Sequence, residues 1–228
     1  MLIPVPIAAV IFDFDGVLAD TEALHCRAYQ AVARSLGMVL ERSAYFERYL
    51  GLPDRECLAA LCARAGRPLA AAQLDDLVRR KKAQYALLLG EASLYPGVGA
   101  MLRRLHERAV LAIASGAFRD EIEPVLRAAE VHALFAAVIG AEDVAAGKPA
   151  PDPFLAALAA LNRATGRALV PAQCVVVEDT PRGITAARAA GMRCLAVTTN
   201  YERSALTGAD AIIAHAAQLQ LSDLGLAE

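Results

Sequence analysis

The chain has 228 residues, of which 57% are hydrophobic and 21% are charged, and its formal net charge is −2. This length suits one large domain or a core domain with a smaller insert, and the composition excludes a disordered chain. The longest basic run, Arg79-Arg80-Lys81-Lys82, is too short to favour nucleic acid as a partner, and we interpret it as the solvated face of a helix.

The first predicted strand covers residues 7–12 and stops abruptly at Asp13-Phe14-Asp15-Gly16. An apolar run of this kind is typical of a buried parallel strand. Asp is disfavoured within strands, so two of them at a strand end indicate a site for a nucleophile and a divalent cation. The alternative is a strand that ends in an ordinary Asp-Gly turn.

Residues 22–90 contain no convincing strand and predict helices only, separated by Gly-containing turns. We therefore expect an all-helical insert, residues 22–90, within a core made of residues 1–21 and 91–228. The two links to the core are short and rich in turn residues, which is typical of a hinge. Asp20 is interpreted as the N-cap of the first inserted helix, or as a hinge residue.

After the insert, apolar runs predict five further strands that alternate with helices. They cover residues 110–114, 136–139, 174–177, 194–197 and 211–214. This alternation predicts an α/β fold with a doubly wound parallel sheet. Ligands of such a sheet bind outside the carboxyl ends of its strands.

Polar residues follow these strands. Ser115 and Gly116 can offer a hydroxyl and an amide to a phosphate, or form a simple turn or N-cap. Lys148, in a loop stiffened by prolines, can neutralise phosphate or remain a solvated charge. Asp152 is interpreted as an N-cap, with Pro153 at the first helical position.

Glu178 and Asp179 repeat the opening pattern, an apolar strand that ends in carboxylates. They are suited to complete an oxygen-ligand site for magnesium. Acidic residues at the start of a helix are the alternative, since Pro181 fits such a start.

Taken together, the four strand ends and the helical insert resemble the haloacid dehalogenase-like hydrolase superfamily over the whole chain. The resemblance implies that Asp13 is a nucleophile that forms an aspartyl-phosphate, and that Asp15 is its general acid and base. It implies Mg²⁺ held by Asp13, the carbonyl of Asp15 and Asp179, with Glu178 as a direct or more distant ligand.

The same resemblance implies that Ser115, the amide of Gly116 and Lys148 hold the phosphoryl oxygens. The second Asp, Asp15, disfavours the dehalogenase and phosphonatase branches, which lack it. Residues 13–22 and 147–152 resemble the subgroup that contains beta-phosphoglucomutase and related sugar-phosphate phosphatases.

Three residues of the insert are candidates for contact with substrate. His25 follows the opening motif, and Lys81 falls where the mutase has a substrate-facing lysine; a buried helix histidine and a solvated lysine are the alternatives. Arg55 is available where the mutase has a phosphate-gripping arginine, but the acidic Asp54 precedes it. This departure disfavours mutase activity.

We therefore expect a magnesium-dependent phosphatase acting on a small phosphorylated metabolite of the sugar-phosphate kind. The alternatives are a beta-phosphoglucomutase-like isomerase and a non-catalytic phosphometabolite-binding protein. Five scattered cysteines indicate neither disulfides nor a zinc site, and we expect neither a signal peptide nor a membrane-spanning run. We expect a cytoplasmic monomer that binds neither nucleic acid nor membrane.

Overall fold

The computed structural model describes residues 6–224, and within them six strands form one parallel sheet. The strands are β1 (Ala9–Phe12), β2 (Val110–Ala114), β3 (Phe135–Ile139), β4 (Cys174–Glu178), β5 (Arg193–Val197) and β6 (Ala211–Ile213). Their order in the sheet is β3-β2-β1-β4-β5-β6. The chain therefore adds strands on one side of β1 and then on the other, which confirms the predicted doubly wound fold.

The two central strands, β1 and β4, are buried at every residue. Strands of parallel sheets are covered on both faces and are apolar throughout rather than alternating. The sequences Ala-Val-Ile-Phe and Cys-Val-Val-Val follow this rule, and Glu178, the last residue of β4, is the exception. A buried carboxylate at this position requires compensating partners.

The register of the sheet brings three strand ends to one level. Phe12, the last residue of β1, lies opposite Ile113 on one side and Val177 on the other. The next amide, that of Asp13, still donates to the carbonyl of Val177 at 2.9 Å. Asp13 therefore begins the loop at the same sheet edge as Glu178.

The α-helices of the described residues follow the predicted pattern. They are α1 (Glu22–Ser35), α2 (Arg42–Arg48), α3 (Asp54–Arg64), α4 (Ala71–Leu88), α5 (Val98–His106), α6 (Arg119–Ala128), α7 (Asp152–Thr165), α8 (Pro181–Ala189) and α9 (Leu221–Leu224). Between residues 6 and 224, none of them is long and apolar enough to cross a membrane.

The chain divides into two compact units. One is the helical segment Thr21–Ala92, which contains α1 to α4, and the other contains the sheet. Within the sheet unit, the two segments that flank the insertion are hydrogen-bonded. The amide of Asp20 donates to the carbonyl of Ser93 at 3.1 Å, and that of Tyr95 donates to Leu18 at 2.9 Å.

Lys81 lies inside the helical unit, so its interpretation as part of a solvated face is wrong. Its side chain is 2% exposed, and its Nζ lies 2.8 Å from Asp54 Oδ1 and 2.9 Å from His25 Nδ1. The hydroxyl of Tyr29 donates to the same Asp54 oxygen at 2.6 Å. Lys81 lies on the buried face of α4 with Leu77 and Tyr85, and Asp54 compensates its charge.

Two predicted helix starts are wrong by one residue. The N-cap of α1 is Thr21, whose carbonyl accepts from the amides of the first turn, and not Asp20. Asp152 is the first residue of α7 and not its cap, because the carbonyl of Pro151 accepts the first helical bond, from Leu155 at 3.0 Å. An N-cap needs a well-placed carbonyl, which proline retains although it lacks an N–H.

We expect Asp54→Ala to lower the free energy of unfolding of the helical unit by about 3–5 kcal/mol, because it leaves a buried ammonium without its carboxylate. Urea unfolding of purified protein, followed by circular dichroism, measures this change.

The matched control is Asp75→Ala, which removes the partner of Arg55 in an ion pair on the surface of the same unit. We expect a change of about 0–1 kcal/mol there, since exposed ion pairs contribute little. Equal losses in both variants would contradict the assignment of Lys81 as a buried charge that depends on Asp54.

Candidate active site

The carboxyl edge of the sheet holds an ammonium between two carboxylates. Lys148 Nζ lies 2.8 Å from Asp13 Oδ2 and 2.7 Å from Glu178 Oε1. Its side chain is 11% exposed and also lies over the ring of Phe154, with Nζ 5.0 Å from the ring centroid. The other oxygen of Asp13, Oδ1, accepts from the amide of Phe14 at 2.7 Å. Lys148 is therefore a fixed part of a buried cluster and not a solvated charge.

Glu178 binds the residues at the start of α8 in addition to Lys148. Its Oε2 accepts from the amides of Asp179 and Thr180, at 2.8 and 2.7 Å, and from the hydroxyl of Thr180 at 2.9 Å. The helix approaches so closely that a Cβ on Gly183 would lie 1.8 Å from Glu178 Oε1. Only glycine leaves room for this carboxylate, which is fully buried.

Burial and charge shift the pKa values of the cluster in different directions. Burial and the charge of Glu178 together raise the pKa of Asp13 to about 8, although Lys148 acts to lower it. Burial alone would raise the pKa of Glu178, but Lys148 and the hydrogen bonds around it lower that pKa. Burial alone would lower the pKa of Lys148, yet the two carboxylates raise it. The ammonium therefore stays charged, and Asp13 is the carboxylate whose ionisation depends most on further positive charge.

The cluster Asp13, Glu178 and Asp179 could hold a metal ion. Each of the three offers one carboxylate oxygen, and these oxygens lie within 4.8 Å of one another. An all-oxygen donor set of this kind suits a hard divalent cation. Glu178 accepts from four donors, whereas among the described residues Asp13 accepts only from one amide and from Lys148, so Asp13 fits such a cation better than Glu178 does.

Asp179 is held from the neighbouring strand end. Its Oδ2 accepts from Asn200 Nδ2 at 2.9 Å, and Asn200 follows β5. Gly16 lies against both groups, since a Cβ there would come within 2.3 Å of each of them. Gly16 also has φ of +74°, so this turn of the opening motif requires glycine for two reasons.

The remaining predicted core residues lie in the loops after β1 and β2. Ser115 is buried, and its Oγ accepts from the amide of Ala117 at 3.1 Å, so it forms a turn and does not cap α6, whose N-cap is Phe118. Gly116 follows it, and a Cβ there would have no neighbour within 4 Å. Asp15 lies in the turn that follows Asp13, where it forms an isolated bridge with Ala19. Their phosphate-binding and acid–base roles remain predictions.

The candidates of the insert do not form one group. His25 and Lys81 contact each other in the buried cluster described above, where the His25 ring also stacks on Tyr85 with centroids 4.1 Å apart. Arg55 instead lies at the surface of the helical unit in an ion pair with Asp75. Arg55 is thus paired away from Lys81, and its neighbour Asp54 is the residue that contacts Lys81.

Sequence reasoning missed three residues that hold this site. They are Asn200, which supports Asp179; Thr180, which binds Glu178; and Arg182, whose guanidinium donates to the carbonyl of Lys148. Asn200 follows a predicted strand, so the strand-end rule could have identified it. Thr180 carries the general signature of an N-cap, which does not reveal its bond to Glu178 two residues earlier. Arg182 carries only the signature of a helix start, which does not reveal its partner Lys148, 34 residues away.

Comparisons with known proteins identify the family of this chain. The family model for haloacid dehalogenase-like hydrolase matches residues 7–191. The chain is 31% identical over 219 residues to the beta-phosphoglucomutase of Bacillus subtilis, covering 93% of this chain and 92% of that protein. It is 33% identical over 193 residues to the phosphorylated carbohydrates phosphatase of Thermotoga maritima, covering 81% and 82%.

The fold is also similar to a solved relative. CbbY from Rhodobacter sphaeroides, crystallised in complex with phosphate, has a TM-score of 0.80 to this chain at 29% identity, with 96% of this chain and 99% of that chain covered. The chain is therefore an enzyme of the phosphatase or phosphomutase kind. The chain belongs to the haloacid dehalogenase-like hydrolases, in the subgroup that contains beta-phosphoglucomutase, CbbY and sugar-phosphate phosphatases.

Proposed function

We propose that the protein is a magnesium-dependent phosphatase that releases phosphate from a small metabolite of the sugar-phosphate class. The observation that carries the proposal is the contact between Asp13 and Lys148 beside the acidic cluster of Asp13, Glu178 and Asp179. A nucleophilic carboxylate, a fixed cation and a metal-binding donor set are the parts that phosphoryl transfer through an aspartyl-phosphate needs. The similarity to a phosphorylated carbohydrates phosphatase supports the substrate class.

In the proposed reaction, a carboxylate oxygen of Asp13 attacks phosphorus, and the bond from phosphorus to the alcohol oxygen breaks. Asp15 gives its proton to the departing alkoxide. Water then attacks the phosphorus of the aspartyl-phosphate, Asp15 takes a proton from that water, and Asp13 and inorganic phosphate are released. The net reaction is hydrolysis of a phosphate monoester.

Charge is the main obstacle to the first step. A carboxylate and a phosphate at about 4 Å repel by about 4 kcal/mol per pair of unit charges at an intermediate dielectric. Lys148 lies against Asp13 and offsets part of this repulsion. Asp13, Asp179 and the carbonyl of Asp15 would hold Mg²⁺, which when bound supplies the further positive charge. Ser115, the amide of Gly116 and Lys148 would bind the phosphoryl oxygens.

Hydrolysis is favoured over the mutase reaction by the charges of the helical unit. The family resemblance implies that in the mutase an arginine of the helical insert binds the second phosphate of a sugar bisphosphate. In this chain Arg55 is paired with Asp75, and Lys81 is paired with Asp54. We propose that His25 and Lys81 help to select the substrate. We also propose that Arg55 and Lys81, whose charges are neutralised by these carboxylates, disfavour a second phosphate.

The similarity to beta-phosphoglucomutase supports transfer to a sugar hydroxyl as the second candidate function. The two reactions share the aspartyl-phosphate and differ in the acceptor, which is water or a sugar. A panel of phosphorylated metabolites, assayed with magnesium for both phosphate release and isomerisation of beta-glucose 1-phosphate, separates them.

We expect Asp13→Asn to reduce phosphate release from every substrate of that panel by several orders of magnitude, because the amide is a poor nucleophile. Wild-type enzyme incubated with substrate and quenched in acid should carry a phosphorylated Asp13, detectable by mass spectrometry. Asp76→Asn, on the exposed part of α4, is the control and should keep full activity. Phosphate release that survives Asp13→Asn would overturn the covalent mechanism.

We expect removal of divalent cations with EDTA to stop phosphate release, and added Mg²⁺ to restore it, because without the cation only Lys148 offsets the carboxylate–phosphate repulsion. A titration of released phosphate against Mg²⁺ measures this. Asp179→Asn should raise the Mg²⁺ concentration required for half-maximal activity. Activity that is indifferent to chelation would contradict the assignment of the acidic cluster as a metal site.

A further inference from the structure

The guanidinium of Arg182 binds the main chain of the residue that carries the active-site ammonium. Arg182 lies in the first turn of α8, and both its Nε and its Nη2 donate to the carbonyl of Lys148, at 3.2 and 2.8 Å. Two donors on one planar group fix the direction of the carbonyl as well as its distance. Arg182 is half-buried, which protects this contact from water.

Lys148 is thereby held at both ends by one segment of the chain. Its Nζ is bound by Glu178, the last residue of β4, and its carbonyl is bound by Arg182, four residues later. The segment between them, which begins α8, is itself fixed by the bonds of Thr180 to Glu178. Lys148 lies in a loop between β3 and α7, so its backbone is not fixed by the regular hydrogen bonds of a strand or a helix.

A flexible side chain places its charge only as well as its backbone is placed. The stem of lysine has four rotatable carbon–carbon bonds, and the ammonium of Lys148 must stay near Asp13 at 2.8 Å. A shift of the Lys148 backbone moves the ammonium away from Asp13 or forces a strained rotamer. Small misplacements of groups in an active site reduce rates strongly.

We propose that Arg182 is a positioning residue for phosphoryl transfer, which acts by fixing the backbone of Lys148. The proposal rests on the proposed function, in which the Lys148 ammonium compensates Asp13 and binds the phosphoryl group. Arg182 has no chemical part in that reaction and acts through Lys148. Its loss should therefore weaken phosphate binding and slow the chemical step together.

The experiment compares Arg182→Ala and Arg182→Lys with Arg188→Ala. Arg188 is a matched control, because it lies on the same helix and also donates to a main-chain carbonyl, that of Gly208 at 2.9 Å, but away from Lys148. We expect Arg182→Ala to lower kcat about 10- to 100-fold and to raise the inhibition constant of inorganic phosphate. Arg182→Lys, which keeps one donor group, should restore part of both, and Arg188→Ala should leave both unchanged.

A double-mutant cycle tests whether Arg182 acts through Lys148. We expect Lys148→Ala with Arg182→Ala to bind phosphate and turn over no worse than Lys148→Ala alone, because the ammonium to be positioned is then already absent. Losses that multiply in the double variant would overturn the proposal, as would an Arg182→Ala enzyme that behaves like Arg188→Ala. Urea unfolding of all variants identifies a merely structural effect. In that case kcat falls only in step with the folded fraction, and Arg182→Lys gives no rescue. That result would also overturn the proposal.

The wild-type enzyme and Lys148→Ala separate this proposal from the proposed function. If the wild type releases no phosphate from the panel, or if Lys148→Ala keeps full activity, the proposed function or its assignment of Lys148 fails. If both behave as expected and Arg182→Ala remains fully active, only the positioning role fails.

Discussion

The candidate active site depends on one ammonium that compensates two buried carboxylates. Lys148 lies between Asp13 and Glu178 at hydrogen-bonding distance from each, in surroundings that are almost closed to water. Ionised groups without partners are costly in such a place, so the three must occur together or not at all. Their arrangement requires β1 beside β4, the Lys148 loop next to both strand ends, and glycine at position 183. The doubly wound sheet provides the first of these conditions directly.

The two carboxylates around Lys148 have different surroundings, and this divides their roles. Glu178 has its oxygens filled by donors from its own helix start and from Lys148. Asp13 receives one amide and the ammonium, and its pKa is raised because this is too little for its burial. The first carboxylate is therefore saturated, and the second is ready to bind further positive charge or an electrophile. This difference supports Asp13 as the nucleophile and Glu178 as its support.

Much of the fold, and the residues of the strand ends, could be predicted from the sequence. Apolar runs identify the strands within one or two residues, because both faces of a parallel sheet are covered, and Asp13, Lys148, Glu178 and Asp179 follow those runs. The interpretation of Lys81 as a solvated residue is wrong because it rests on the basic run alone. Its burial depends on Asp54, a partner 27 residues away in the sequence. The role of Arg182 likewise lies in a pairing between distant segments that no local pattern shows, whereas Asn200 follows a predicted strand and could have been identified from that position.

The hydrogen bonds between Asp20 and Ser93, and between Leu18 and Tyr95, join the two points where the chain leaves and re-enters the sheet unit. The inserted helices are therefore a closed excursion from a junction that is already paired without them. The entropy of closing such an excursion grows only slowly with its length, so the sheet unit tolerates inserts of different size and sequence at this junction. Replacement of the inserted helices then leaves the sheet unit and its strand-end cluster unchanged, so the two units can change in sequence independently.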